Sequence, residues 1–327
     1  MFMPGHRRVY DQQQSFFTVA PRSDTASFPI FNKLPINTSL SGLKLPLYQQ
    51  SLYSYIIMAV SVTHSASGLL LEPLPNLDIP TRHTVSHALH RIKFVGTLGQ
   101  WTNFKTEVAN TYNSQTWNPH EIASRLTANF VAGSVHEEQV FVSDERGVQG
   151  RLEGRAGIAL GAVFGAQNHD LKLGASKGAL PPYPGYKKAP DFVLMTSAHK
   201  AKVVGEVKVP WIREHNLRKL ITEFESGAKQ DHFRHVLGQI AEYMFDSRLK
   251  YGFLTTYEHT VFLRKEDVGR AWGLEYSPVI YHSDRGSTSG RTVSFCQSLY
   301  HIGLLALADS NFDTSTGMRN QKWTAPL

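Results

Sequence analysis

Apolar and polar positions along the second half of the chain form short segments of two different periods. Two apolar runs rich in β-branched residues predict a hairpin of strands with a polar turn at 198–200: "DFVLMTS" (191–197) and "KVVGEVKV" (202–209). Two longer segments have helical spacing, with Gly227 between them: "WIREHNLRKLITEFE" (211–225) and "DHFRHVLGQIAEYMFDSRL" (231–249). We expect further strands in "YGFLTTYE" (251–258), "HTVFLRKE" (259–266) and near "SPVIYH" (277–282), and a helix over 299–308.

The first half of the chain has weaker periodicity. Residues 1–80 are rich in Ser, Pro, Asn and Gln, a composition typical of an extended or partly disordered arm. Residues 82–127 have helical spacing, and Asn118 before Pro119 resembles an N-cap followed by proline at the first helical position. This region is therefore predicted to be helical.

A further helix is expected over 143–166, with Ser143 or Asp144 as its cap, ahead of a Gly/Pro-rich loop. At about 100° per residue, Glu145 lies near the middle of its apolar stripe and Glu153 toward the edge. The stripe comprises Val148, Leu152, Ala156, Ala159 and Val163.

The order of these elements predicts an α/β fold with a mixed central β-sheet flanked by helices, preceded by a helical, partly irregular N-terminal extension. We expect four regions: an arm (1–80), a helical extension (81–134), the α/β domain (135–310) and a tail (311–327).

Composition narrows the class of protein. The formal net charge of +7 favours a polyanionic partner such as nucleic acid, although a basic solvated surface would give the same figure. The single cysteine excludes an intrachain disulfide framework and favours a reducing compartment. The N-terminal segment lacks the apolar core of a secretion signal, and no apolar run is long enough to span a bilayer. The sequence therefore predicts an intracellular protein, nuclear or cytoplasmic, that is neither secreted nor membrane-bound.

The segment "VVGEVKV" combines a strand pattern with two charges. Side chains alternate along a strand, so Glu206 and Lys208 point to the same face among valines. Burying two charges is costly unless they serve each other or a ligand. Asp170 and Lys172 have the same spacing, but they stand in a polar loop with no strand pattern. Only Glu206 and Lys208 are expected on a rigid element.

Other residues with metal-binding or proton-transfer chemistry surround this pair in a particular order. Glu145 comes first on its helix, and Pro190 with Asp191 stands at the mouth of the preceding strand. Gln239 and Tyr243 follow, four residues apart on one helix face. This order resembles the PD-(D/E)xK nuclease superfamily, most of all its RecB-type branch with the Gln-x-x-x-Tyr element. Residues 138–266 are also similar to a group of fungal proteins of that superfamily.

The resemblance implies a restriction-endonuclease-like core and a metal-dependent hydrolysis of phosphodiester bonds, with DNA as the expected substrate. Hard carboxylate ligands suit Mg²⁺ or Mn²⁺. By resemblance the ligands would be Asp191, Glu206, the backbone carbonyl of Val207, and Glu145. Lys208 would orient or help deprotonate the attacking water and stabilise charge. Gln239 and Tyr243 would contact nucleic acid or support the lysine.

Basic and aromatic residues near these motifs are candidates for nucleic-acid contacts. Trp211 could stack on a base. The basic candidates are Lys187, Lys188, Arg213, Arg218, Lys219, Lys229 and Arg234, together with His232 and His235.

Several alternatives stay open at this point. Glu206 and Lys208 could form a structural ion pair of little energetic value, and Glu145 could simply complement a helix dipole, with Glu153 as its rival. A nuclease-like protein that binds nucleic acid or a protein without cutting, or an unrelated α/β enzyme, would also fit.

The N-terminal 130 residues could cap the domain, form a homodimer or recruit a partner. His83, His87 and His90 share a helical face suited to zinc, but no Cys or acidic partner is nearby.

Overall fold

The computed structural model describes residues 61–85, 89–125, 140–268, 271–309 and 323–327. Within them the chain is a mixed α/β protein with one large central sheet flanked by helices, as the sequence predicts, and two small two-stranded sheets. No helix in these residues is long and apolar enough to cross a membrane.

The elements are numbered along the chain. The strands are β1 (Ser61–His64), β2 (Ile92–Phe94), β3 (Thr97–Gln100), β4 (Ile122–Arg125), β5 (Lys172–Gly174), β6 (Phe192–Met195), β7 (Ala201–Val207), β8 (Tyr251–Thr255), β9 (His259–Val268), β10 (Ala271–Tyr276), β11 (Ile280–Tyr281) and β12 (Thr324–Pro326). The α-helices are α1 (Ala66–Leu71), α2 (Phe104–Ser114), α3 (Glu145–Leu152), α4 (Ile158–Ala166), α5 (Leu217–Glu225), α6 (Gln230–Asp246) and α7 (Phe295–Ala308). One π-helical turn, Glu153–Gly157, joins α3 to α4.

The topology of the central sheet places the start of β6 beside the end of β7. Its order is β3-β10-β9-β8-β7-β6-β5, and β11 adds to β9. β7 and β8 are parallel, so their connection must cross over, and α5 and α6 supply that crossover. β6 and β7 are antiparallel, with Phe192 opposite Gly205. The start of β6 therefore lies against the end of β7.

Hydrophobic residues cover both faces of the sheet. On one face, Phe192 and Phe253 pack in a large core with residues of α1, α2, α3, α4 and α7. On the other face, Val204 and Leu254 pack with residues of α5 and α6. Because both faces are buried, β7 and β8 are apolar nearly throughout, as strands in the middle of a covered sheet usually are.

Gly205 in β7 is required by close packing. A Cβ atom at this position would lie 2.2 Å from Cζ of Phe253. The Phe253 ring is fully buried and stacks near Phe192, so it has little room to move. The glycine thus lets an aromatic ring lie directly over the strand that carries Glu206.

Most elements predicted for the second half are confirmed. β6 and β7 form the expected hairpin, and α5 and α6 are the two expected helices, separated by Gly227 with φ of 75°. β10 was not predicted, nor was β5, which lies where a Gly/Pro-rich loop was expected. α7 begins at Phe295 rather than near residue 299, because the Ser294 hydroxyl accepts a hydrogen bond from the N–H of Gln297 and caps the helix earlier.

The prediction of helix over 82–127 is wrong for most of that region. Among the residues of that region that the structure describes, only α2 is α-helical, whereas β2, β3 and β4 are strands. β3 pairs with β10 and β4 pairs with β1, so tertiary pairing overrides the local pattern. Asn118 does not cap a helix: its side chain donates to the carbonyl of Ala166 and accepts from the N–H of His120. Residues 126–134 lie outside the described part.

The predicted arm and tail both contain packed structure in their described residues. β1 and α1 fall within 61–80, and Ala66 and Leu70 are fully buried. Near the C-terminus, Trp323 is buried and β12 pairs with β2, so the described end of the segment expected as a tail packs on the protein. One core and one sheet include residues from both sides of the expected boundary at 134/135.

Substituting Gly205 by alanine should destabilise the fold. The added methyl group must displace the Phe253 ring in a filled core, so we expect a loss of about 2–3 kcal/mol in the free energy of unfolding. Gly99→Ala in β3 is a matched control, because a Cβ atom added there would have no neighbour within 4 Å. Urea denaturation of both variants measures the difference, and equal stabilities would contradict the packing argument.

Candidate functional site

Asp191 lies immediately before β6 and is held by two hydrogen bonds. Its Oδ2 accepts from the backbone N–H of Val207 at 2.8 Å, and its Oδ1 accepts from Nε2 of Gln149 at 2.6 Å. A strand does begin directly after it, as the sequence interpretation required. This contact uses the amide N–H of Val207, whereas the group that the resemblance implies as a metal ligand is the Val207 carbonyl. The Asp191 carboxylate is therefore fixed against the end of β7.

Glu206 and Lys208 stand at that same end. Lys208 directly follows β7 and its N–H continues the ladder to the carbonyl of Thr255 at 2.9 Å. Both side chains are buried on the face that also carries Val204, and the Nζ of Lys208 donates to Oε1 of Glu206. The other oxygen of Glu206, Oε2, is buried without a hydrogen-bond partner. Oε2 is therefore the oxygen of Glu206 that is available to accept a hydrogen bond or to bind a cation.

Glu145 completes a group of three carboxylates around the lysine. It begins α3, whose N-cap is Asp144, and its Oε2 lies 3.8 Å from Nζ of Lys208. Its side chain is 40% exposed, against 2% for Glu206, so the group extends from the protein interior to the surface. Glu153 lies eight positions further along, about 12 Å by helical rise. Of these two acidic residues, Glu145 is the one in contact with Lys208.

Gln239 and Tyr243 lie on α6, facing the same region. Nε2 of Gln239 donates to Oη of Tyr243 at 2.8 Å, and Oε1 of Gln239 is buried without a hydrogen-bond partner. Burial raises the pKa of Tyr243, and the negative charge of Glu206 raises it further. The tyrosine therefore stays protonated beside the carboxylates.

Gln149 was not singled out in the sequence. It lies one helical turn after Glu145, so the two share a face of α3. Glu-x-x-x-Gln is too common to be noticed without knowing that this face points at Asp191. The spacing becomes informative only once the hydrogen bond from Gln149 to Asp191 is seen.

Burial raises the pKa of each carboxyl in the group. The effect is largest for Glu206, whose pKa lies well above its usual range despite the opposing charge of Lys208. For Asp191, the Val207 N–H and Lys208 partly offset burial, and for Glu145 Lys208 does so. Burial lowers the pKa of Lys208, but attraction from Glu206 and Glu145 outweighs it, so the net shift is upward. Lys208 is accordingly protonated at neutral pH.

The basic residues near the site differ in their availability. Lys188 forms ion pairs with Glu242 at 3.0 Å and with Asp246 at 2.7 Å. Arg234 donates to the carbonyl of Gly96 at 2.7 Å and thereby supports the fold. The exposed basic residues among the candidates include Lys187, Arg213 and Arg218.

Lys219, Lys229 and His232 each approach the carboxylate of Glu223 at 3.7 to 3.9 Å. The His235 ring is hydrogen-bonded to the carbonyl of His90. These four residues therefore have partners within the protein.

Thr84 connects both flanks of the site. Its N–H donates to the carbonyl of Ser143, two residues before Glu145, at 2.8 Å. Its carbonyl accepts from Nε1 of Trp211, three residues after Lys208, at 2.7 Å. The Trp211 ring also contacts the His83 ring, at 5.2 Å between centroids. Trp211 is thus packed within the protein rather than fully exposed for stacking.

The proposed histidine site for zinc gains no support from the residues described. His83 is hydrogen-bonded to the carbonyl of Pro80 at 3.0 Å. His87 lies outside the described part of the chain.

The residues of the site could hold a hard divalent cation with only two carboxylate ligands from the protein. Among the described residues no group of three or more His, Cys, Asp or Glu side chains is arranged to hold a metal ion. Mg²⁺, however, keeps several waters and commonly uses only one or two carboxylates. Asp191 and Glu206 lie close enough for each to alter the pKa of the other, and Glu206 Oε2 is unpaired. Two carboxylates at one strand end suit such a cation.

Comparison with known proteins found no matching family model, and no match among curated proteins or solved structures. Functional conclusions for this chain therefore depend on the geometry and chemistry of the site.

Breaking the buried ion pair should destabilise the protein in a pH-dependent way. In Lys208→Met the native Glu206 carboxyl keeps its proton at a pH where the unfolded chain releases it, so stability falls as pH rises. We expect a loss of about 3–5 kcal/mol at pH 8 and a smaller loss at pH 5. Urea denaturation at both pH values measures it.

The double variant Glu206→Gln/Lys208→Met serves as the matched control. Because it contains neither charge, it should recover much of the stability lost at pH 8. Additive losses from the two single substitutions, or a loss that is the same at both pH values, would contradict a buried, coupled pair.

Proposed function

We propose that this chain is a divalent-metal-dependent nuclease that hydrolyses phosphodiester bonds, with DNA as its expected substrate. The supporting observation is the group of three carboxylates around one buried lysine at the end of β7. Three ionised carboxylates and one ammonium carry a formal charge of −2 in a partly desolvated site. Burial raises the pKa values of Asp191, Glu206 and Glu145, and repulsion from neighbouring carboxylates adds to the shift for Glu206 and Glu145. A divalent cation would balance the excess negative charge.

Asp191 and Glu206 would hold the metal ion, together with the Val207 carbonyl and water, and Glu145 would assist from the open side. When bound, the ion would supply an activated water and compensate for charge on the phosphate. The Val207 N–H and Gln149 keep the Asp191 carboxylate in one orientation. Such rigid support is what a catalytic geometry needs.

Lys208 would act as a cation rather than as a base. Its pKa is raised, so at neutral pH it has no free lone pair with which to remove a proton. Its suited roles are orienting the water and stabilising negative charge on the phosphate. Gln239 has a buried oxygen without a partner and Tyr243 a protonated hydroxyl, so both can hydrogen-bond to groups entering from the α6 side.

The test is cleavage of labelled single- and double-stranded DNA and RNA in Mg²⁺, in Mn²⁺ or in EDTA. We expect DNA cleavage that needs the metal ion and falls about 100-fold or more in Asp191→Asn and in Lys208→Met. Lys172→Met is the matched control, because Asp170 and Lys172 repeat the acidic-x-Lys spacing outside the site. Circular dichroism checks that each variant is folded before its activity is compared.

Three outcomes would contradict the proposal: cleavage in EDTA, cleavage unchanged by Asp191→Asn, or no cleavage by folded wild-type protein with any substrate and metal. If the protein binds nucleic acid in the last case, a non-cleaving binding protein is the better interpretation. The hydrogen bond already made by each Asp191 oxygen and the tight Lys208 to Glu206 contact would fit that alternative.

A further inference from the structure

A cavity of about 330 Å³ opens next to Pro190, the residue before Asp191. Its floor is the α6-side face of β6 and β7, at Val193 and Val204. One wall is the loop that contains Leu180, Pro181 and Pro182. The cavity thus has an apolar interior formed by the sheet and by a proline-rich loop.

The cavity adjoins the site described above. Pro190, which lines it, is bonded directly to Asp191. Val204 is two residues before Glu206, so their side chains share a strand face. Tyr186, another lining residue, is near enough to Tyr243 for their hydroxyls to influence each other. None of the three carboxylate residues lines the cavity, but a molecule in it would lie one strand repeat, about 7 Å, from Glu206.

The entrance is basic. Residues 171–205 contain six lysines, and their only acidic residue is Asp191. Three of these lysines, Lys177, Lys187 and Lys188, line the cavity. Glu242 and Asp246 neutralise Lys188. In the part of the chain that the structure describes, Lys177 and Lys187 are exposed and have no acidic partner, so they are available to an anion.

Hydroxyl groups add hydrogen-bonding capacity. Ser176 and Ser247 line the cavity together with Tyr186. The Tyr186 hydroxyl is buried without an ordinary hydrogen-bond partner, although Ser247 is near enough to influence it. A buried donor of this kind is usually satisfied by a partner or a ligand.

We propose that this cavity binds a single nucleotide of the substrate strand. Its base or sugar would pack on the wall formed by Leu180, Pro181 and Pro182, and its phosphate would meet Lys177 and Lys187. The volume is at the lower end for small-molecule sites, which suits one nucleotide rather than several. The identification of the occupant as a nucleotide rests on the proposed function. A nuclease that cuts at the carboxylates would bind one nucleic-acid strand there, and this cavity would hold one nucleotide of that strand.

Calorimetric titration of the full chain tests this directly, in EDTA so that the metal site does not contribute. The probes are deoxyadenosine 5′-monophosphate, deoxyadenosine and inorganic phosphate. We expect saturable binding of the monophosphate that is tighter than that of either component. The variant Lys177→Gln/Lys187→Gln should weaken it at least about tenfold, since two charge-assisted contacts are lost. Lys172→Gln/Lys200→Gln removes equal charge outside the cavity and should change it less than about twofold.

The proposal is overturned if the monophosphate shows no saturable binding, or if the control variant weakens it equally, because the attraction is then non-specific. It is also overturned if phosphate alone binds as tightly, because the apolar wall then has no role. Asp191→Asn separates this proposal from the nuclease: it should abolish cleavage but preserve nucleotide binding. Binding without any cleavage by wild type would refute the nuclease alone, and cleavage without binding would refute the cavity alone.

Discussion

The buried contact between Lys208 and Glu206 is the constraint on which the candidate site depends. Removing two charges from water is costly, and their mutual attraction offsets that cost only in a tightly held geometry. The last ladder bond of β7, from the N–H of Lys208 to Thr255, and the hydrogen bond from the Val207 N–H to Asp191 provide it. Each fixes one backbone position beside the pair. The hydrogen bonds at the end of β7 therefore hold Lys208 and Glu206 in contact, and the ion pair in turn stabilises this end of the strand.

The topology of the sheet explains why residues far apart in sequence meet there. An antiparallel hairpin brings Asp191 to Glu206, and the parallel crossover places α6, with Tyr243, over the same strand face. Glu145 arrives from the opposite side at the start of α3. A site assembled from strand ends and helix termini has rigid support on several sides, while its outer edge stays open to solvent.

The parts of this arrangement that could be predicted from sequence are those encoded locally. The period of two in β6 and β7 places Glu206 and Lys208 on one face, and the spacing of Gln239 and Tyr243 places them on one side of a helix. Gln149 was missed because its role depends on which way α3 points. β3 and β4 were misassigned because their partners, β10 and β1, are distant in sequence. Trp323 shows no pattern of its own, yet it packs on Phe94.

Thr84 has a mechanical consequence for this region. A single residue uses its N–H on the segment leading into Glu145 and its carbonyl on the indole of Trp211 beyond Lys208. The two rims of the site are thereby linked through one residue. Each rim can open by breaking its own hydrogen bond to Thr84, whereas a displacement of Thr84 itself breaks both bonds. Movement of Thr84 is therefore expected to loosen both sides of the site together.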